Sequence, residues 1–369
     1  MDRAEVYGLS LILCLALAAR IIGAYLTKVL IFDEWLYCTQ AYSFAFKGEI
    51  PTIFPLTPII MSLFIKTLGP SKWSYLATTI GMGTILIIPI YKLASRYLDK
   101  KLSLTVALLT ASNPMFIWTS SHALTEPLFM VLLTSSLLLS FEKEAFKALI
   151  AGLLVGLAYL CRYPALLLVI VIIIHLYREK EIKKMLLYTV SFVSVFVSWQ
   201  VTSILATGTL LQTEYYSLLY TLGGVPAINL GAIQPMLFKV SIGLTLMLLP
   251  LIPLLPYLKL ERENVSLLLQ LVFLWLFFHL GYYVYQSFNT YTSLGQVVAS
   301  ERIARWSSPI FPFISIILLR KTGRWFKALL IISVVLSITI GLYLVEYTNS
   351  HGMLQESWES FLEKLGVTP

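Results

Sequence analysis

Leu26-Thr27-Lys28-Val29-Leu30-Ile31-Phe32-Asp33-Glu34-Trp35-Leu36-Tyr37 closes a long apolar run and sets an adjacent acidic pair seven residues beyond it. In a chain that is 58% hydrophobic and only 12% charged, two neighbouring carboxylates just past an apolar helix need a reason to be there. Working outward from the pair, positions Trp35, Thr39, Tyr42 and Phe46 trace one helical face before Gly48 ends the run. Residues at this spacing share a helix face. The segment is therefore expected to form a helix lying in the membrane interface, with Asp33 at its N-cap, a position that favours Asp.

The remainder of the chain agrees with a membrane setting. A crossing needs about 20 apolar residues, and the 369-residue chain, of mean hydropathy +0.82, offers about eleven candidates. They fall at 6–26, 73–94, 102–119, 125–139, 146–160, 164–177, 185–206, 235–258, 265–288, 306–319 and 328–345. A further apolar stretch, 55–68, opens with two prolines and has no charged inner flank, so it reads as re-entrant or interfacial.

The net charge of +8 does not imply a nucleic-acid partner. Seventeen of the 27 basic residues are Arg3 and four to two at a time in alternate loops: Lys92, Arg96, Lys100 and Lys101; Lys143 and Lys147; Arg178, Lys180, Lys183 and Lys184; Lys259 and Arg262; Arg320, Lys321, Arg324 and Lys327. Lys and Arg gather on the cytoplasmic side of membrane proteins. The expected topology is N-terminus inside and C-terminus outside, with Asp33 outside. Ala16-Leu17-Ala18 imitates a signal-cleavage site, but the apolar run continues past Arg20, and Asp2 and Glu5 spoil a basic leader. The organisation expected is one membrane domain over 1–347 and a short outer tail over 348–369. In that tail Leu354, Trp358, Phe361, Leu362 and Leu365 recur at amphipathic helical spacing.

Three further outer segments can meet the acidic pair. Leu124-Thr125-Glu126-Pro127-Leu128-Phe129 opens the fourth span, Gly156 to Pro164 turns between the fifth and sixth through Arg162, and Glu301-Arg302-Ile303-Ala304-Arg305-Trp306 leads into the tenth. Each has an ordinary structural reading. Asp33 can simply cap a helix. Glu126 can be a first-turn acid at the positive end of a helix dipole. Arg162 can snorkel or meet helix-end carbonyls, and Arg302 and Arg305 can contact lipid headgroups. His122 reads as a solvated loop residue, His279 as a packed polar contact within a span, and His175 as remote from the outer face. The three cysteines and four histidines show neither a disulfide framework nor metal-ligand spacing, so no metal or other cofactor is expected.

In order, spacing and sidedness, these segments resemble the GT-C glycosyltransferases, especially the protein O-mannosyltransferase and aminoarabinose transferase branch. The resemblance covers 20–180 well and 300–318 loosely. Trp306 stands where the family often has Tyr, and the large soluble outer domain of some members does not follow the core in this sequence. It implies an all-α, GT-C-like polytopic protein of the plasma membrane with its site on the outer face. It also implies transfer of a hexose, mannose favoured, from a polyprenyl or dolichyl phosphate to a protein, glycan or lipid acceptor. Asp33 would be the base, Glu34 its supporting group, and Glu126 would orient sugar or acceptor. Arg162 with Arg302 and Arg305 would clamp phosphate. The rival reading is a lipid or solute transporter or flippase, and a third is a membrane assembly protein without catalysis. Ionisable groups at the bilayer midplane would favour transport, whereas most charges here sit at the span ends.

Overall fold

The structure, a computed structural model, describes residues 2–208, 233–259, 265–290, 305, 307–319, 322–351 and 356–367. Each of the eleven apolar segments falls on helix. The first, α1 (Arg3–Leu26), starts at a capping box in which Asp2 accepts the Glu5 amide and Glu5 accepts that of Asp2. It runs unbroken through the would-be cleavage site. The first loop carries α2 (Phe32–Lys47) and α3 (Leu56–Leu68), which pack on each other and then on α4 (Lys72–Ile85). With α5 (Ile87–Ala94), α4 makes one 23-residue apolar span.

The start of α2 differs from expectation. Ile31, not Asp33, is the N-cap, and Asp33 lies in the first turn. The cause is Glu34, whose carboxylate reaches back to accept the Ile31 amide at 3.0 Å. An acid at the third helical position satisfies an amide that the helix itself cannot, so the helix begins two residues before the expected start.

The third apolar segment is broken. α6 (Lys100–Ser112) and α7 (Pro114–Ser121) meet at 49°. Pro114 has no amide hydrogen and steers the residue before it away from helix. Asn113 repairs the break: its side chain accepts the Met115 and Phe116 amides and donates to the Met247 carbonyl. Arg20 of α1 is fully buried nearby and donates to the Ala16 and Ala111 carbonyls, the latter in the last turn of α6. A cation at that helix end suits its dipole.

Next come α8 (Glu126–Ser140), α9 (Ala145–Cys161), α10 (Ala165–Arg178) and α11 (Ile182–Thr207). Between apolar helices in lipid, small residues permit the close approach that dispersion requires. A Cβ on Gly152 would lie 2.2 Å from the Tyr188 carbonyl oxygen, and one on Gly156 would lie 2.7 Å from the Val195 Cβ, so α9 meets the α11 backbone at the first and seats the Val195 side chain at the second. The remaining helices are α12 (Ile233–Leu248), continued by a 3-10 stretch Leu249–Tyr257, then α13 (Ser266–Thr290), α14 (Phe311–Leu318), α15 (Phe326–His351) and α16 (Trp358–Lys364). Among the described residues, five helices are long and apolar enough to cross a membrane, or six with the bent pair as one. Among the described residues, Glu126–Ser140, Ala145–Cys161, Ala165–Arg178 and Ser308–Leu318 are shorter apolar helices.

The two ends of the bundle differ in kind. At one, Lys100 pairs with Asp2 and Glu5, Arg96 and Lys147 pair with Glu142, and the Lys259 amide bonds to Leu318 O. These are the rims that the basic loops occupy. At the other end, the tail lays its apolar face on the protein and leaves Glu359, Glu363 and Lys364 exposed. Val29 and Leu30 (β1) pair antiparallel with Ser357 and Glu356 (β2). Trp358, Phe361 and Leu362 of α16 are buried against Tyr75, Met61 and Cys38. Leu354 lies outside the described residues, and α15 extends past 347, so the expected boundary falls within a helix. Topology reporters test the sidedness: fusions after Lys101 or Lys184 are expected to read cytoplasmic and one after Lys47 external, and a cytoplasmic Lys47 would put the acidic pair on the wrong side.

Candidate active site

At the end opposite the basic rims, four segments bring together two carboxylates and two guanidiniums. Glu126 opens α8 directly behind the 121–125 turn, where Pro127 at the second helical position loses no helical hydrogen bond. Its Oε1 accepts hydrogen bonds from both Arg162 Nη1 and Arg305 Nε. Arg162 is the C-cap of α9, held extended by its own amide bonding to Ala158 O. Arg305 Nη1 also donates to Asp33 Oδ2 at 2.5 Å. The chain of contacts therefore runs Arg162–Glu126–Arg305–Asp33 and is neutral overall.

Burial is graded along it. Side-chain exposure is 2% at Glu126, 7% at Arg305 and 12% at Arg162, but 37% at Asp33. Asp33 is the member that faces outward. Burial disfavours charge on Arg305, but Glu126 and Asp33 beside it more than offset this and hold its guanidinium above the ordinary range. Glu126 Oε2 is buried with no hydrogen-bond partner among the described residues. An unsatisfied buried carboxylate oxygen is costly, and it can take a donor from a bound hydroxyl.

Phe54 supports Arg162 from below, with the guanidinium 5.8 Å from its ring centre. Phe54 has φ of 45° and is buried between Tyr37 and Tyr163, at 6.3 Å from each. A bulky residue at positive φ is strained, and such residues collect at functional sites.

Glu34 faces away from this chain of charges. It is fully buried and accepts from the Ile31 amide, from the Ala123 amide at 2.6 Å and from His122 Nδ1 at 2.9 Å. It supports the site without reaching its open side. His122 is the residue that the sequence reading placed in solvent; it is fully buried instead. The signal available was its position four residues before Glu126, in a turn that has to close over the acidic pair. Arg302 lies outside the described residues, so the second expected clamp is placed only at Arg305. His279 packs as a helix contact, its Nδ1 2.9 Å from Trp275 O. No cluster of metal-ligating side chains occurs among the described residues.

Residues 51–203 match the family described as dolichyl-phosphate-mannose-protein mannosyltransferase, a stretch that includes Glu126 and Arg162 but neither Asp33 nor Arg305. Among solved structures the chain is similar to ArnT from Cupriavidus metallidurans in the apo state, with TM-score 0.56 and 14% identity over 85% of this chain and 59% of that one. It is also similar to the same protein bound to undecaprenyl phosphate, with TM-score 0.60 and 13% identity over 94% and 66% of the two chains. This chain thus spans three fifths to two thirds of the length of those structures. No curated protein matches the sequence. Its fold is similar to that of these membrane proteins, in line with the resemblance carried by the acidic pair and the Thr-Glu-Pro run.

Glu126 holds two guanidiniums in a buried setting, and breaking such a pair typically costs about 3–5 kcal/mol. Glu126→Gln is therefore expected to lower the thermal midpoint in detergent markedly. Glu142→Gln, at the half-buried Arg96 pair of the opposite end, should change it little, since pairs near solvent contribute about 0–1 kcal/mol. Equal midpoints for the two variants would contradict the arrangement.

Proposed function

We propose that the chain is a glycosyltransferase that moves a sugar from a polyprenyl phosphate to an acceptor hydroxyl on the outer face of the membrane. One observation carries this reading: an outward-facing carboxylate, Asp33, paired with the nearly buried Arg305, which Glu126 joins to a second guanidinium, Arg162. A transfer of this kind needs a base for the acceptor proton and cations for the departing phosphate, and the two lie within one connected set of contacts. Support for the donor comes from the family match and from the fold shared with a protein crystallised with undecaprenyl phosphate. A hexose, with mannose favoured by the family description, is the finer reading of the sugar. The acceptor class is a protein, glycan or lipid hydroxyl.

The steps follow from the geometry. Asp33 takes the hydroxyl proton as the acceptor oxygen bonds to the anomeric carbon. The bond from that carbon to the phosphate oxygen breaks, its electron pair stays on the phosphate, and the configuration inverts. Arg162 and Arg305 each have donors beyond those given to Glu126 and Asp33. A guanidinium presents five N–H groups in a fork that fits phosphate. They stabilise the charge that develops on the leaving group. Glu126 Oε2 orients a sugar or acceptor hydroxyl, and Glu34 stays a supporting group.

The transporter reading has one feature in its favour, the broken α6–α7 segment with the buried Arg20 beside it, since discontinuous helices line many transport sites. Labelled polyprenyl-phosphate sugar with purified protein separates the two: a glycosylated product in detergent supports transfer, and flux across liposomes without product supports transport.

Asp33→Asn is expected to lower turnover by about 100-fold or more, the usual size of a general-base contribution, with the protein still folded. Near-normal turnover would reduce Asp33 to a partner for Arg305. Arg162→Ala should cut donor use strongly and Arg162→Lys should recover part of it, with kcat falling more than donor affinity if the clamp acts on the leaving phosphate. Unchanged activity in Arg162→Ala would move the clamp to Arg305 or Arg302.

A further inference from the structure

The buried pair behind the acidic loop is not used by the transfer chemistry above. Glu34 and His122 are both fully excluded from solvent, 88 positions apart in the chain, with Nδ1 to Oε2 at 2.9 Å. The other two donors to Glu34 are backbone amides, Ile31 at the head of α2 and Ala123 in the turn before Glu126. One carboxylate thereby ties the segment bearing Asp33 to the segment bearing Glu126. Those two acids are the ones that share Arg305.

The state of the imidazole follows from its surroundings. An ionised Glu34 only accepts, so the ring nitrogen facing it must carry a proton. Nε2 is buried with no partner among the described residues. A second N–H there would be an unsatisfied buried donor on a cation, so the neutral Nδ1–H tautomer is the one that fits. The ring lies 5.0 Å from that of Trp118, whose own Nε1 donates to Thr348 Oγ1 of α15 at 2.9 Å. Trp118 thus leaves the imidazole little room to turn away from Glu34.

We propose that His122 is a positioning residue for transfer: its Nδ1–H fixes the Glu34 carboxylate, and through it the separation of Asp33 from Glu126 and Arg305. The assignment rests on the glycosyltransferase reading for its kinetic consequence but not for its structural one. Misplacing reacting groups by about 1 Å can cost about 100-fold, so a loosened clamp acts on turnover while leaving donor binding in place.

Three replacements test it. His122→Asn puts an amide N–H near the Nδ1 position, His122→Gln carries its amide toward Nε2, and His122→Phe keeps the ring on Trp118 without a donor. The expected result is a fall in kcat of about tenfold to a hundredfold for Phe and Gln with KM for donor little changed, and recovery by Asn. In parallel, amide hydrogen exchange at Ile31 and Ala123 should accelerate in Phe and Gln and stay slow in Asn. Wild-type exchange and kcat in His122→Phe would overturn the proposal. So would an equal loss in Asn and Phe that tracks the yield of folded protein. If the wild-type protein transfers no sugar, the function proposed above fails, and the exchange measurement still decides whether His122 sets the clamp.

Discussion

A carboxylate taken out of water must find cations, and Glu126 finds two on a single oxygen. The guanidiniums come from distant parts of the chain, Arg162 from the turn after α9 and Arg305 from the segment before α14. The shared carboxylate offsets the cost of taking both guanidiniums out of water, which is several kcal/mol per ion. The segments that bear them are therefore drawn to one place. Asp33 joins as the outermost acid, so that a buried charge network opens toward solvent at one carboxylate. The arrangement serves stability at its buried end and leaves Asp33, the base proposed above, at its open end.

The rest of the bundle makes that meeting possible. In lipid the helices gain nothing from hiding apolar surface, so they rely on close contact and on satisfied backbone groups. Gly152 and Gly156 let α9 lie against α11, which carries Arg162 at a fixed depth. The bend at Asn113 lets α7 deliver the 121–126 turn under the acidic loop, and Asn113 and Arg20 serve the backbone groups that the bend exposes. Asn349 adds a lace at the other side, donating to Leu26 O and accepting the Lys28 amide.

Local features were legible in the sequence and distant pairings were not. The apolar segments fall on helices because run length and composition are properties of neighbouring residues. Asp33, Glu126 and Arg162 stood out because charged residues are scarce at the ends of apolar runs. The partnership of Arg305 with Asp33 spans 272 positions and leaves no periodic trace. His122 was misread for the same reason: in its own stretch it is a polar residue between two helices, and only the fold puts Glu34 beside it. The misplaced N-cap is a local failure of another kind. Two acids competed for one helix start, and the one that reached back to the Ile31 amide decided it. Hydropathy marks apolar runs, and among the described residues several of these runs form helices of 10–17 residues.

The pairing of Val29 and Leu30 with Ser357 and Glu356 has a consequence for how the molecule is made. The acidic loop leaves the ribosome long before Trp358 and Phe361, which cover its back. Between those two moments the loop has neither its strand partner nor the aromatic cover on Tyr75. Completion of this end of the bundle therefore waits for the segment from residue 356 onward, and a chain interrupted before it carries every side chain proposed for chemistry yet lacks the brace that seats them. The seating of the early loop thus depends on a segment synthesised long after it.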